Sequence, residues 1–140
     1  MTNRIQELTV DKTWRDEQDA WNNRSNYFVE MHNRDDRKAQ VTEFLSFLKN
    51  ENLLPPKGGC TLDIGCGVCD YALGLAREGH KATGIDLSDG MIRGAKQLAE
   101  AEGLDLSLYI APWSDETRRE LKWDKTFDLT YSIFCPIMFD

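Results

Sequence analysis

The sequence predicts an α/β protein built on a parallel, doubly wound sheet. From residue 60 onward, short apolar runs alternate with stretches of helical periodicity, which is the rhythm of βαβ units. A glycine-rich turn, Gly65-Cys66-Gly67, follows the first apolar run, and the carboxylate of Asp86 closes the second. The chain has 140 residues, 41% of them apolar and 29% charged. This length and composition suit one domain with its own core.

Helices are predicted ahead of the sheet. Apolar side chains recur at i, i+3, i+4 and i+7 from Val41 to Leu48, which indicates an amphipathic helix over about residues 36–52 that stops before two prolines. Trp14 and Trp21 stand seven residues apart behind possible N-caps, which suggests another helix with an aromatic face.

We therefore expect residues 1–35 to form a helical cap or lid and residues 36–140 to form the sheet domain. Trp21 and Tyr27 come from the segment that a lid over a ligand requires, so they are candidates for closing the site.

Turn and capping residues divide the rest of the chain into strands and helices. Ser88 or Asp89 begins one helix and Gly103 ends it, while Gly79 ends the helix before it. The predicted elements are a strand over Cys60–Ile64, a helix over Asp70–Glu78, a strand over Lys81–Ile85, a helix over residues 88–103, a strand over Asp105–Ile110, a short helix over about 115–122 and a strand over Phe127–Ile133.

Parallel strands joined by right-handed helical crossovers give these four predicted strands the order 3-2-1-4. A ligand then lies at the carboxyl ends of the first two. Asp86 stands 21 residues after Gly65, a spacing at which the second strand delivers a carboxylate to a ribose. Asp63 lies beside the same crevice, where it would repel a pyrophosphate and attract an ammonium group. The residues thus favour a nucleoside that carries an amino acid over a dinucleotide.

The segments 62–67 (LDIGCG) and 84–88 (GIDLS), followed by Met91, resemble the first two motifs of the class I S-adenosylmethionine-dependent methyltransferases, particularly their small-molecule branch. The resemblance implies a Rossmann-like fold, S-adenosylmethionine as cofactor and S-adenosylhomocysteine as product. It also implies cofactor contacts from Asp63 (amino group), Gly65, Cys66 and Gly67 (methionine part), Asp86 (ribose), and Leu87 and Met91 (adenine).

Two later segments extend the resemblance. Pro112, Trp113 and Ser114 follow the third predicted strand, where the family places adenine contacts. Ser132 ends the fourth, near the expected position of the sulfonium, and residues 133–136 occupy the turn where the methyl group meets the acceptor. Because a sulfonium is already an activated methyl donor, no catalytic residue is named.

This chain departs from the family pattern at two places. Cys69 stands where the motif usually continues with a third glycine, so the loop is less permissive. The sheet is expected to be incomplete, because the family fold continues for three strands beyond the fourth. We expect the apolar edge of that strand to be covered by a missing C-terminal segment or by a homodimer.

Other functions remain open from the sequence. A cofactor-binding or partner-binding module without turnover is the alternative from a different class. NAD binding is less favoured because Asp70 would stand next to a pyrophosphate. A redox role for the Cys66-x-x-Cys69 pair is also less favoured, since it leaves Asp63 and Asp86 unexplained. No metal site is expected, because His32 and His80 lack ligand spacing.

The charge and hydropathy of the chain disfavour some classes of binding partner. The net charge is −7 and no basic cluster stands out, which disfavours nucleic acid. No run approaches the roughly 18 apolar residues of a membrane helix, and the N-terminus lacks the apolar core of a signal peptide. We expect a cytoplasmic protein, away from membranes, that acts on an unidentified small molecule.

Overall fold

The computed structural model describes residues 3–124 and 126–133, which form a parallel sheet with helices on both faces. The strands are β1 (Arg4–Glu7), β2 (Cys60–Ile64), β3 (Lys81–Asp86), β4 (Leu106–Ile110) and β5 (Leu129–Tyr131). The helices are α1 (Arg15–Asn22), α2 (Ser25–His32), α3 (Asp35–Asn50), α4 (Asp70–Arg77), α5 (Asp89–Glu102) and α6 (Asp115–Leu121), with a 3₁₀ turn at Lys12–Trp14 before α1.

The sheet has the order β1-β4-β3-β2-β5, and every pairing is parallel. The predicted α/β class is confirmed, and β4-β3-β2-β5 is the predicted order of the four strands. Strand β5 is shorter than predicted because it pairs with β2 over only three residues. Asp128, just before it, instead accepts a hydrogen bond from Cys60 N through its carboxyl at 2.8 Å.

Strand β1 was not predicted. It consists of only four residues with no apolar run, and Ile5 is its one partly buried side chain. Its neighbour Asn3 holds it in place: the side-chain amide donates to Leu104 O at 3.1 Å and accepts from Leu106 N at 2.7 Å. Residues 1–35 therefore contribute an edge strand as well as helices.

The core lies on both faces of the sheet. One cluster joins β3 and β4 to α4 and α5, with Leu73, Ile92 and Leu108 almost fully buried. On the opposite face, Leu62 and Ile85 pack with the aromatic side chains around α6. In the described residues, 3–124 and 126–133, no helix has the length and apolar character needed to cross a membrane.

Two glycines of α5 allow α1 and α2 to approach it closely. A Cβ atom at Gly90 would stand 2.8 Å from Ser25 Oγ, and one at Gly94 would stand 2.7 Å from Val29 Cγ2. These distances are shorter than any ordinary carbon contact. The small residues thus fix how the N-terminal helices lie over the carboxyl ends of the strands.

Replacing Gly94 by alanine is expected to lower the free energy of unfolding by up to about 2 kcal/mol, because the added methyl group forces α2 away from α5 at a packing cost of about 1–3 kcal/mol. Alanine favours the helix itself by about 1 kcal/mol, so a packing cost must exceed that gain to appear. Urea denaturation measures the change, with the exposed Gln97→Ala on the same helix as control. A stabilised Gly94→Ala protein would contradict the tight packing.

Candidate cofactor site

A cavity of about 470 Å³ opens at the carboxyl ends of β2 and β3, under the N-terminal helices. Its walls come from the loop after β2, the ends of β3 and β4, the N-terminal half of α3, and the cap formed by α1 and α2. The lining residues are Trp14, Glu17, Trp21, Phe28, Arg37, Gln40, Asp63, Gly65, Cys66, Gly67, Val68, Asp70, Tyr71, Ile85, Asp86, Leu87, Met91, Ala111, Pro112, Trp113 and Ile133.

The loop from Gly65 to Cys69 wraps one side of the cavity. Gly65 and Gly67 have φ angles of 68° and 57°, in the left-handed region that suits glycine. Cys69 takes the same conformation with φ 67°, although it is not a glycine. The loop is held to the sheet because Gly65 N and Cys66 N both donate to Ile85 O, at 2.9 and 3.1 Å. Helix α4 begins at the predicted residue, so Cys69 has not shifted it.

Asp86 lies at the end of β3 with both carboxyl oxygens engaged. One accepts from Gly67 N at 2.8 Å and the other from Ser88 N at 2.9 Å. Burial raises the pKa of Asp86 and outweighs these hydrogen bonds, and the nearby carboxylate of Glu17 acts in the same direction. Asp86 therefore joins the glycine loop to the β3–α5 turn and faces the cavity as an acceptor for hydroxyl donors.

Asp63, at the end of β2, is the most buried acid of the cavity, with 2% of its surface exposed. Burial raises its pKa well above the ordinary 3.8, and the charge of Asp86 adds to the shift. Its partner in register on β5 is Tyr131, and a hydrogen bond from the Tyr131 hydroxyl offsets part of the rise in the Asp63 pKa. A cation arriving beside Asp63 would lower the cost of ionising it.

The sequence missed a cluster of charged side chains that reaches the cavity. Asp70, the first residue of α4, lies 2.7 Å from His32 Nδ1 and 3.4 Å from Arg37 Nη1, measured from its two carboxyl oxygens. Only 13% of the Arg37 side chain is exposed, and its Nε atom is buried without a partner in the described residues. In the sequence Arg37 sits in a mixed charge run that is typical of a solvated helix face, so no local pattern identifies it.

The far end of the cavity is apolar and is closed by the cap. Leu87, Met91, Pro112 and Trp113 line it from the sheet side, as the resemblance implies, and Trp21 lines it from α1. Further aromatic side chains there, Trp14 and Phe28, were not predicted as contacts.

Helix α1 is tied to the β3–α5 turn by side-chain amides. Gln18 Nε2 donates to Leu87 O at 3.0 Å. Asn22 Oδ1 accepts from Ser88 Oγ at 2.5 Å and from Gly90 N at 3.0 Å. The cap is thus attached to the same turn that presents Asp86 to the cavity.

Three of the residues predicted for the site lie outside the cavity. Tyr27 is 57% exposed and packs edge-on against Phe28, which lines the cavity in its place. Ser114 accepts from Thr117 N at 3.1 Å and so caps α6. Ser132 donates to Ile64 O at 2.9 Å and ties β5 to the end of β2. Of the predicted acceptor turn, Ile133 lines the cavity, and residues 134–136 lie outside the described residues.

The chain is similar to methyltransferases in both sequence and structure. Residues 61–140 match the family model described as "Methyltransferase domain". A "Putative methyltransferase" of Geobacillus sp. (strain WCH70) is 36% identical over 74 residues, which are 53% of this chain and 28% of the relative. A 23S rRNA uracil-C5 methyltransferase of Shewanella amazonensis is 39% identical over 64 residues, covering 45% of this chain and 14% of that protein.

Among solved structures, magnesium protoporphyrin IX methyltransferase from Synechocystis PCC 6803, crystallised with S-adenosylhomocysteine, is similar with a TM-score of 0.51 and 27% identity. The match covers 70% of this chain and 50% of that one. The chain therefore spans half or less of the length of each of these relatives.

Proposed function

The chain belongs to the methyltransferase domain family, and we propose that it transfers a methyl group from S-adenosylmethionine to a small-molecule acceptor. The observation that carries this proposal is one cavity across the ends of three neighbouring strands: Asp63 with Arg37 at β2, Asp86 at β3, and apolar side chains after β4. An amino-acid nucleoside has the same order of groups: a zwitterion, a ribose and a purine.

The charged end fits the methionine part of the cofactor. Arg37 offers a guanidinium whose buried Nε atom has no partner among residues 3–124 and 126–133, which suits a carboxylate. Asp63 offers a buried carboxyl to the ammonium group, and Gly65, Cys66 and Gly67 bring the backbone close to the chain between them. A neutral or anionic ligand would leave Asp63 without compensation for its burial.

The remaining contacts follow from the cavity walls. Asp86 would accept hydrogen bonds from the ribose hydroxyls, and the purine would lie between the cap and the residues lining the apolar end: Leu87, Met91, Pro112, Trp113 and Trp21. Tyr27, Ser114 and Ser132 would support the walls of the site, as their contacts with Phe28, Thr117 and Ile64 indicate. In this proposal residues 1–35 serve as the cap, which covers the cavity and excludes water.

The bound sulfonium supplies an activated methyl group that a nucleophile can displace directly. The chain would therefore contribute mainly alignment and desolvation. Asp63 and Arg37 hold one end of the donor, Asp86 holds its centre, and the aromatic cap keeps water from the reacting carbon. In the described residues, the side chains around the charged end are arranged to bind and orient, so no proton transfer by the chain is invoked.

A small acceptor is favoured by charge. Among the described residues, four carboxylates line the cavity, from Glu17, Asp63, Asp70 and Asp86, against one guanidinium, from Arg37. The whole chain carries a net charge of −7. A phosphate backbone entering beside these carboxylates would be repelled. The similarity to an rRNA methyltransferase nevertheless makes RNA the acceptor to test first against small metabolites.

Calorimetry with S-adenosylmethionine, S-adenosylhomocysteine and NAD tests the cofactor class. We expect both sulfur nucleosides to bind and NAD not to bind. Failure of both sulfur nucleosides to bind would refute the proposal. Transfer of a labelled methyl group into a metabolite extract or into ribosomal RNA then identifies the acceptor class, and transfer to neither supports a binding module without turnover.

Asp86→Ala should weaken S-adenosylhomocysteine binding about 10- to 150-fold, since one charge-assisted contact contributes about 1.5–3 kcal/mol. The effect includes looser anchoring of the glycine loop, because Gly67 N loses its partner. Asp89→Ala, nearby on α5 but outside the cavity lining, is the matched control and should leave the affinity within twofold. If both variants bind S-adenosylhomocysteine with equal affinity, Asp86 does not contribute to binding the ligand.

A further inference from the structure

The thiols of Cys66 and Cys69 have no task in the chemistry proposed above. Both are free, and they stand three residues apart in the loop that wraps the cavity. Cys66 lines the cavity and is 8% exposed, whereas Cys69 lies behind it and is fully buried. Cys66 therefore belongs both to the cavity wall and to the apolar core behind it, where Cys69 also lies.

The backbone brings the two residues to the separation that a disulfide needs. Cys69 N donates to Cys66 O at 2.9 Å, which closes a turn between them. The ends of such a turn lie within about 7 Å at their Cα atoms, and disulfides span about 4.4–6.8 Å.

The side chains converge as well. A Cβ atom placed on Gly84, on the neighbouring strand β3, would stand 2.8 Å from Cys66 Sγ and 2.6 Å from Cys69 Sγ. Both sulfur atoms therefore share the space above one glycine. Gly84 leaves this space open, and the three atoms nearest to that position are Cys69 Sγ, Cys66 Sγ and Cys66 Cβ.

We propose that Cys66 and Cys69 form a dithiol that peroxide can oxidise to a disulfide, and that this disulfide changes the shape of the loop so that the cofactor binds less tightly. Forming the bond draws the sulfur atoms to about 2.05 Å, which must move the loop residues between them. Gly67, one of these residues, lines the cavity and donates to Asp86. The second half of the proposal rests on the proposed cofactor site, whereas the first half concerns the thiols alone.

The oxidation requires a peroxide as oxidant. The Cys66 thiolate attacks one oxygen of hydrogen peroxide, the O–O bond breaks, and hydroxide leaves to give a sulfenic acid. The Cys69 sulfur then attacks the Cys66 sulfur, so that the S–S bond forms and the S–O bond breaks, and the released hydroxide takes the Cys69 proton as water. In total, two thiols lose two electrons and peroxide is reduced to two molecules of water.

The reaction should be slow at neutral pH. Burial raises the pKa of the Cys66 thiol well above its usual value, and the Cys69 thiol and the charges of Asp86 and Asp63 act in the same direction. Since the thiolate is the nucleophile, the rate should increase as the pH rises. This direction gives the experiment a readout that is independent of the cofactor.

The experiment uses the full chain with Cys60→Ser, so that the tryptic peptide of residues 58–77 holds only the two thiols in question. After treatment with hydrogen peroxide, free thiols are alkylated and the non-reduced peptide is weighed. We expect the peptide to carry no alkyl group and to contain the Cys66–Cys69 disulfide. The disulfide should form more slowly when S-adenosylhomocysteine is present. Once formed, it should lower the affinity for S-adenosylhomocysteine at least tenfold, and dithiothreitol should restore that affinity.

The control adds Cys69→Ser in the same background. Its peptide then holds only the Cys66 thiol, so peroxide should not produce the loss of two hydrogen atoms that an internal disulfide gives. No internal link under conditions that fully oxidise free glutathione would overturn the proposal. A complete link with unchanged affinity for S-adenosylhomocysteine would overturn the coupling to the cofactor. If the reduced protein fails to bind S-adenosylhomocysteine, the proposed function is contradicted. The peptide mass would still show whether Cys66 and Cys69 form a disulfide.

Discussion

Replacing Arg37 by methionine is expected to weaken S-adenosylhomocysteine binding by about 10- to 150-fold. The guanidinium is nearly buried at the charged end of the cavity, and its Nε atom has no partner in the described part of the chain. A carboxylate placed there would gain a charge-assisted contact that contributes about 1.5–3 kcal/mol. Methionine keeps the length of the side chain, so packing between α3 and α4 changes little.

The choice of ligand separates recognition from damage to the fold. 5′-Methylthioadenosine has the same nucleoside but lacks the amino-acid end, so Arg37→Met should leave its affinity nearly unchanged. Asp86→Ala should weaken both ligands, because both have the ribose. The exposed neighbour Lys38→Met serves as control and should affect neither. Equal losses for both ligands in Arg37→Met would show that Arg37 supports the cavity without touching the carboxylate.

Most of the sheet could be predicted because its signals are local. Each of the four predicted strands is a short apolar run, and the helices between them begin and end at residues that favour helix ends. Ser88 does accept from Met91 N to begin α5, and Gly103 ends that helix with φ 66°. Strand β1 lacks such a signal, since it is held by pairing with β4 and by the side chain of Asn3.

The residues of the site also fall into two groups: those that a local motif locates and those that only the packing of helices brings to the cavity. Asp63, Gly65, Gly67 and Asp86 occupy fixed positions relative to strand ends, so a motif locates them, and the structure places all four on one cavity. Arg37 reaches that cavity only because α3 packs beside α4, which no local spacing reveals.

In the cap, the sequence predicts where the helices lie but not which of their side chains line the cavity. Its place above the cavity follows from its position before the sheet, yet the choice between neighbouring side chains depends on how α2 rotates against α5. That rotation turns Phe28 inward and Tyr27 outward. The close contact of Val29 with Gly94 sets it, so the packing of two distant helices decides which aromatic residue lines the site.

Asp63→Asn is expected to have opposite effects on stability and on ligand binding. Burial raises the pKa of the Asp63 carboxyl above its ordinary 3.8, so the folded state holds its proton more tightly than the unfolded state does. The carboxyl therefore supports folding fully below about pH 3.8, and this support is lost as the pH rises through the folded-state pKa. Asparagine has nearly the same shape and does not titrate.

At neutral pH the Asn variant should therefore be more stable than the parent chain, by about 1–3 kcal/mol, because a buried charge without a cationic partner is removed. The gain should shrink toward pH 4. Asp86 shifts in the same direction and remains in both proteins. Because the two carboxylates repel each other, the difference between the two urea denaturation curves at each pH reports Asp63 together with its interaction with Asp86. The exposed Asp19→Asn is the control, since a surface substitution usually changes the free energy of unfolding by no more than about 0.5 kcal/mol.

The same change should weaken S-adenosylhomocysteine about 10- to 150-fold and 5′-methylthioadenosine hardly at all, since only the former carries an ammonium group. Binding of the ammonium repays the cost of ionising Asp63, so the parent chain should bind S-adenosylhomocysteine more tightly as the pH rises from 4 to 7, and the Asn variant should lose this part of the trend. A variant that is destabilised at neutral pH, or that binds both ligands as the parent does, would show that Asp63 is a structural residue. If Asp63→Asn is more stable and binds S-adenosylhomocysteine more weakly, then Asp63 contributes to ligand binding and lowers the stability of the fold.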